Sequence, residues 1–247
     1  MCAEFIPLPP QRIHEVFKDA FNLKILVHDA GEGLRVFPRG HAGIIRKNKA
    51  GEFELVSAEF SLIPKWWNPE TADKKTKNGR PVFATHNARL ETIDEKPTFK
   101  DSFRHKHCLV PMTSFFESSL FGSKFPGHRI QIATDGVLLA AGCYSEWIDR
   151  STGEIVTSFT LITNTPVLEI FEAGHDRMPV FLDVQSGAKW LENEGQDFST
   201  LKKFLTTQMV NHKLDLKIAI DRELKAGWKK NAPDEADLKA LESKLTK

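Results

Sequence analysis

The chain has 247 residues and a formal net charge of +1. It is long enough for one large domain or two small ones, and it carries no overall field that would draw it to nucleic acid or a membrane surface. Three cysteines, Cys2, Cys108 and Cys143, argue against a disulfide scaffold and for a reducing compartment. No Cys/His spacing reads as a zinc site, so neither metal nor cofactor is expected. Met1 to Pro10 lacks the basic start and apolar run of a signal peptide. The longest apolar stretch, Gly136 to Cys143, falls well short of the roughly 18 residues of a membrane span, so the expected location is cytoplasmic.

In chain order, apolar residues at helical spacing predict an amphipathic helix over Gln11 to Phe21, just after Pro9-Pro10. Strands are predicted at Leu34 to Pro38, Gly43 to Arg46 and Phe53 to Leu62. A polar, lysine-rich loop follows between Pro69 and Pro81. Further strands are predicted at Cys108 to Met112, Arg129 to Ala133, Val137 to Trp147, Ile155 to Asn164 and Pro179 to Leu182, with Asp149 to Gly153 as a hairpin turn. From Ser186 the pattern turns helical. Leu214 to Ile220 alternates as a strand, and Asp234 to Lys247 places Leu238, Leu241 and Leu245 on one helical stripe. The order predicts a single α+β domain with a curved mixed sheet or barrel-like core and flanking helices.

Four stretches carry polar groups that a plain strand–loop protein does not need. The first is Cys2. With Met1 removed, it holds an α-amine and a thiol on adjacent carbons, with reference pKa values of about 8 and about 8.5. Such a pair condenses with an aldehyde: the amine forms an imine and the sulfur closes a thiazolidine. The second is Thr85-His86-Asn87-Ala88-Arg89-Leu90-Glu91-Thr92. The third is Pro111 to Glu117, a carboxylate behind apolar residues. The fourth is Gly174-His175-Asp176-Arg177-Met178-Pro179.

Taken in order, Met1-Cys2, Asn87-Ala88-Arg89-x-Glu91-Thr92, Cys108-Leu109-Val110-Pro111 with Phe116-Glu117, and His175 to Pro179 closely resemble the SOS-response-associated peptidase (SRAP) family. Leu62-Ile63-Pro64-Lys65-Trp66-Trp67 looks like that family's Ile-Pro-x-Trp segment. The motifs span residues 2 to 182; the part from about 185 to 247 is divergent. The resemblance implies a sensor of abasic sites that binds single-stranded DNA and traps the ring-opened sugar as a thiazolidine on the N-terminal cysteine. It implies a DNA-damage role with hydrolase- or lyase-type chemistry, the peptidase activity being self-removal of residues ahead of the cysteine.

The side chains suit such chemistry. Glu117, behind Phe115 and Phe116, is expected to be desolvated, its pKa raised toward neutrality, and to act as general acid/base in sugar opening. His175 can shuttle a proton or hold a phosphate. Asn87 can orient the Cys2 amine or the sugar. Arg89 offers a planar fork suited to phosphate, with a salt bridge to Glu91 as the plainer role. Thr163 falls where the family has a polar strand residue near the site, and Arg177 lies within the fourth motif as a further candidate DNA contact. Successive Trp66 and Trp67 point to opposite faces of an extended segment, leaving one free to stack on a base. Cys108 and Cys143 read as buried packing residues.

The sequence departs from the family in places. Ala3 and Glu4 replace a glycine and a cation next to the cysteine. Glu4 is expected to weaken DNA affinity or shift the strand's path, and Ser118, where the family has tryptophan, to loosen packing around Glu117. Two alternatives remain: a cysteine peptidase acting on other proteins through Cys2, His175 and Asn87, and a nucleic-acid-binding module without chemistry.

Overall fold

The computed structural model describes residues 2–17, 24–25, 34–70 and 84–246. Met1, the last residues of the predicted first helix and the basic run Lys74 to Arg80 lie outside them. The elements in order are β1 (Phe5–Pro7), α1 (Pro10–Phe17), β2 (Lys24–Ile25), β3 (His41–Lys47), β4 (Phe53–Phe60), β5 (Asn87–Arg89), α2 (Pro97–His105), β6 (His107–Ser118), β7 (His128–Ile148), β8 (Ile155–Asn164), α3 (Leu168–Glu172), β9 (Met178–Pro179), α4 (Val184–Glu192), α5 (Phe198–Gln208), β10 (Lys217–Glu223) and α6 (Glu235–Leu245).

All these strands join one mixed sheet. β6 pairs with β3, β3 with β4, β4 with β8, β8 with β7, and β7 returns to β6. Five strands therefore close on themselves, as the predicted curved α+β core requires. The ring is not a clean barrel, because β1, β10, β2, β5 and β9 hang from its members. Parallel pairing is confined to β2–β4, β4–β8 and β5–β8.

Period-2 alternation sorts the side chains to the two faces. Ile44, Phe60, Val110, Phe115, Phe159 and Leu161 point into one cluster with Cys2 and Phe5, in which the Phe5, Phe60 and Phe159 rings meet at centroid distances of 5.2 to 6.4 Å. Their neighbours Ile45, Leu109 and Ile162 join the second cluster, which takes in Ile13 of α1, Phe103 of α2, Trp190 of α4 and Leu201 of α5. The first cluster is the ring interior, and the second is its helix-covered outer face. Cys2 thus lies inside the ring. Asp183, Asp197 and Asp234 cap α4, α5 and α6 by accepting backbone N–H bonds. Leu238, Leu241 and Leu245 form the expected half-buried stripe of α6.

Several strand boundaries differ from expectation: the strand expected at Pro179 to Leu182 is Met178–Pro179, and that at Leu214 to Ile220 is Lys217–Glu223. β6 does not stop at Met112 but runs to Ser118, because a register shift after Met112 lets it pair with the first half of β7 as well. The two strands expected over 129–133 and 137–147 are one continuous β7. Met112 faces Leu138 while Ser114 faces Ala133, so Thr134 to Val137 bulge from the ladder without ending it. Of the strand expected at Leu34 to Pro38, only Val36 pairs, with Phe5. Among the described residues no helix is long and apolar enough to cross a membrane.

Gly142 sits where β6, β7 and β8 meet. A Cβ there would stand 2.7 Å from the Thr160 carbonyl oxygen and 3.0 Å from Cys108 Sγ. Gly142→Ala should therefore destabilise the protein by about 1–3 kcal/mol through overpacking, read as a lower urea midpoint with an unchanged slope.

Candidate active site at the amino-terminal cysteine

β1 pairs antiparallel with β6, Phe5 against Phe115. The Phe116 N–H donates to the Glu4 carbonyl at 2.9 Å, and continuing that register carries Cys2 alongside Ser118. Glu117 shares its strand face with Phe115 and so enters the ring interior, with 1% of its side chain exposed. The helix α3 supplies its partner. Gly174, at φ +94°, follows the end of α3; its N–H bonds to Phe171 O and that of His175 to Ile170 O. This is a Schellman turn, and it needs glycine. A Cβ at Gly174 would lie 2.2 Å from Phe121 O.

The turn aims His175 back at β6. Its Nδ1 lies 2.9 Å from the Ser118 carbonyl oxygen and its Nε2 3.0 Å from Glu117 Oε2. Since a carbonyl can only accept, Nδ1 donates to Ser118, and Nε2 is left facing the carboxylate. Burial alone would raise the Glu117 pKa. The facing imidazole, then the amino-terminal charge and, more weakly, Arg129 outweigh it, and the pKa falls to about 2. The sequence-based expectation of a raised value is corrected here: the burial is present, but a counter-charge overrides it.

Asn87 on β5 donates from Nδ2 to the Cys2 carbonyl at 2.6 Å. Its buried Oδ1 has no hydrogen-bond partner among the described residues. The Cys2 thiol is fully buried and donates weakly to Glu4 O at 3.7 Å. Burial first, then the Glu117 charge, push its pKa up to about 12, so it is a thiol and not a thiolate at neutral pH. His86, whose pKa is lowered by burial, packs edge-on against Phe60 beside this group. Among the described residues no three His, Cys, Asp or Glu come together as metal ligands.

The structure thus brings Cys2, Asn87, Glu117 and His175 together. The five expected DNA contacts fall in two sets. Trp66 is exposed and its Nε1 donates to Pro97 O; Arg89 is exposed on a cleft of about 230 Å³ that Asn87, Ile93, Lys96 and Phe99 also line. Trp67, Thr163 and Arg177 are buried. Trp67 packs with Ile63 and Trp147, and the divergence of the two tryptophans comes from a turn, Trp67 N–H to Pro64 O, not from an extended segment. The Arg177 guanidinium forks onto Glu91 at 2.6 and 2.9 Å and also donates to Thr163 O and Oγ1. Glu91 therefore pairs with Arg177, not with Arg89.

The neighbours of Cys2 are held in place by the fold. Ala3 needs no positive φ. Glu4 is 1% exposed and accepts from Arg35, Arg129 and Arg222 at 2.7 to 3.2 Å, so it is not a free negative charge. Ser118 does not leave a gap: its Oγ accepts from Arg129 and its carbonyl from His175. Sequence reasoning missed His86, although it adjoins Asn87 in the same polar run, and missed the arginines, which are scattered over 35–222 with no local pattern.

The fold and site define an α+β protein that gathers Cys2 and a buried carboxylate–imidazole contact inside a closed ring of strands. The profile of the SOS response associated peptidase (SRAP) family matches residues 1–219, and the chain belongs to that family. It is 35% identical over 160 residues to the abasic site processing protein YobE of Bacillus subtilis strain 168, covering 64% of this chain and 68% of that protein. It is 31% identical to YoqW, an abasic site processing protein of the same strain, over 64% of this chain and 66% of that protein, just under two thirds of its length. A solved structure from Bordetella bronchiseptica superposes with a TM-score of 0.69 at 21% identity, covering 90% of this chain and 100% of that one. Another, from Bacteroides thetaiotaomicron, gives 0.65 at 20%, covering 90% and 92%. These two show the fold.

Two outcomes are expected. Glu117 has a lowered folded-state pKa, so its stabilisation is complete above the ordinary value of 4.5 and is lost as pH falls toward about 2. The stability gap between wild type and Glu117→Gln should therefore be widest above pH 5 and shrink across that window in urea titrations. Gly174→Ala should cost at least about 1–3 kcal/mol and displace His175, seen as a changed imidazole resonance.

Proposed function

We propose that the protein captures abasic sites in single-stranded DNA as a covalent thiazolidine on Cys2, once whatever precedes that residue is removed. The observation that carries this reading is the hold of Asn87 on the Cys2 carbonyl with the Glu117–His175 pair behind it. On this reading Cys2 supplies the nucleophile, the Glu117–His175 pair moves the proton, and the bare Asn87 Oδ1 stands beside them. The names of the Bacillus relatives agree with it.

The steps follow from those groups. The closed abasic sugar opens when its C1 hydroxyl gives up a proton and O4′ gains one; the Glu117–His175 pair does both, ending as it began. The C1–O4′ bond breaks, leaving an aldehyde. The Cys2 amine adds to C1 and water departs, giving an imine. The thiol sulfur then bonds to C1 and the thiol proton ends on nitrogen. The raised thiol pKa makes the amine the first nucleophile. The bare Asn87 Oδ1 accepts from the amine or a sugar hydroxyl. Trp66 and Arg89 are the exposed groups available to a base and a phosphate. Thr163, Arg177 and Trp67 serve the strand's path from beneath, by fixing β5 and the 62–67 turn.

Autoproteolytic exposure of Cys2 would use the same thiol and the same pair. A peptidase acting on other proteins finds less support, since the thiol is buried and protonated.

Purified protein, checked by intact mass for a free Cys2 amine, should give a covalent band on a denaturing gel with single-stranded DNA bearing one abasic site. The band should vanish with Cys2→Ala and with undamaged DNA. Glu117→Gln should slow its appearance roughly 10²–10⁴-fold, the usual worth of a general acid/base. A free amine without any band would refute the capture reading, and cleavage of a reporter peptide, lost in Cys2→Ala, would replace it with the peptidase.

A further inference from the structure

We propose that the guanidinium cluster around Glu4 is a binding site for a backbone phosphodiester of the DNA strand, beside the Glu117–His175 pair. This rests on the reading of the site as a single-stranded-DNA trap and adds a second point of attachment to it.

Three arginines from three separate parts of the chain converge here: Arg35 ahead of β3, Arg129 on β7 and Arg222 on β10. Arg35 reaches Glu4 at 2.7 Å and forks onto Asp221 at 2.5 and 2.9 Å. Arg222 bonds both Asp221 and Glu4, and Arg129 bonds Glu4 and Ser118 Oγ. Three cations contact two carboxylates, Glu4 and Asp221, with Glu117 close enough to Arg129 to feel its charge, so the positive surplus lies with the outer pair, Arg35 and Arg222.

The layering gives that surplus a direction. The acids lie inside, with side-chain exposures of 2% for Glu4 and 11% for Asp221, while Arg35 and Arg222 lie outside at 34% and 50%. The cluster therefore turns positive charge to solvent and keeps the negative charge behind it. Each guanidinium has five N–H donors, and the carboxylates take at most three contacts from either outer arginine. Arg35 is also stacked 4.2 Å over the Phe116 ring, which fixes its plane. A fork held in one plane with spare donors suits a phosphate oxygen pair.

The location matters as much as the charge. Phe116 and Ser118, which touch Arg35 and Arg129, flank Glu117 on β6. Alternation turns the Phe116 and Ser118 side chains to the face of β6 opposite Glu117, so a phosphate on this cluster would belong to the strand's path past the site, not to the sugar at the pair. Arg222 and Asp221 lie just beyond the family match at residue 219, so this surface is a feature of this chain's C-terminal strand.

The competing role is an internal latch in which the five groups only tie β10 to the chain start. Non-covalent binding separates the two. The full chain with Cys2→Ala and an undamaged single-stranded oligonucleotide would be followed by fluorescence anisotropy from 50 to 300 mM sodium chloride. The phosphate site predicts that Arg222→Gln weakens binding roughly threefold or more and lowers the slope of log K against log salt by about 0.7. It predicts the opposite sign for Asp221→Asn, which adds positive charge without removing a guanidinium and should tighten binding. Unchanged affinity and slope in Arg222→Gln, or no gain in Asp221→Asn, would overturn the site and leave the latch. Competition by inorganic phosphate beyond its ionic strength would likewise overturn it, in favour of a free-phosphate site. Absence of any binding by the Cys2→Ala parent would sink this inference and the single-stranded-DNA reading together.

Discussion

Everything at the site depends on the contact between Glu117 and His175. A carboxylate with 1% exposure in a ring lined by Phe5, Phe60, Phe115 and Phe159 would ordinarily be driven neutral. The imidazole nitrogen 3.0 Å away reverses that, and the pKa falls to about 2 instead of rising. Each half of the pair is delivered by a different rule of chain geometry. Strand alternation on β6 sends Glu117 inward behind Phe115. The glycine-terminated end of α3 sends His175 back toward β6, and the Ser118 carbonyl fixes its tautomer.

The same economy holds the start of the chain. The first residues of a protein usually fray, and β1 is only three residues long. Here the segment is pinned at three heights. Asn87 holds the Cys2 carbonyl, the Phe116 N–H holds the Glu4 carbonyl, and three guanidiniums hold the Glu4 carboxylate. A buried carboxylate without those partners would cost several kcal/mol; with them it becomes an anchor. On the proposed reading, a nucleophile placed by that many contacts loses less entropy on reaching a bound aldehyde.

What the sequence revealed follows a physical division. Cys2, Asn87, Glu117 and His175 were legible because each sits in a short polar run set against apolar strands, and because those runs match a family in order. The Schellman turn was present in Gly174-His175 and needed only the helix before it to be recognised. The curved α+β core was legible from strand spacing, whereas the closure of β7 onto β6 was not, since it depends on a bulge that no local pattern marks. The pKa of Glu117 was misread because burial can be inferred from neighbouring phenylalanines but a counter-charge 58 positions away in sequence cannot. The Glu4 cluster was invisible for the same reason: Arg35, Arg129, Asp221 and Arg222 are neighbours only after β1, β7 and β10 assemble. Trp66 and Trp67 were correctly separated into one exposed and one buried ring, but by a turn where alternation was expected.

On the proposed reading, one electrostatic coupling orders the chemistry. The thiol of Cys2 is held protonated first by burial and then by the negative charge of Glu117. While Glu117 is a carboxylate, sulfur is a poor nucleophile and the amine has the advantage. When the pair moves its proton onto the carboxylate during sugar opening, that repulsion on a nascent thiolate disappears. The thiol then becomes easier to ionise in the same interval in which an imine carbon forms beside it. The pair that opens the sugar thus also gates the sulfur, so premature thiolate chemistry is suppressed until an electrophile is in place. A single buried carboxylate can do both tasks only because its charge is set by a neighbour that exchanges the proton with it, which returns the argument to the 3.0 Å contact with His175.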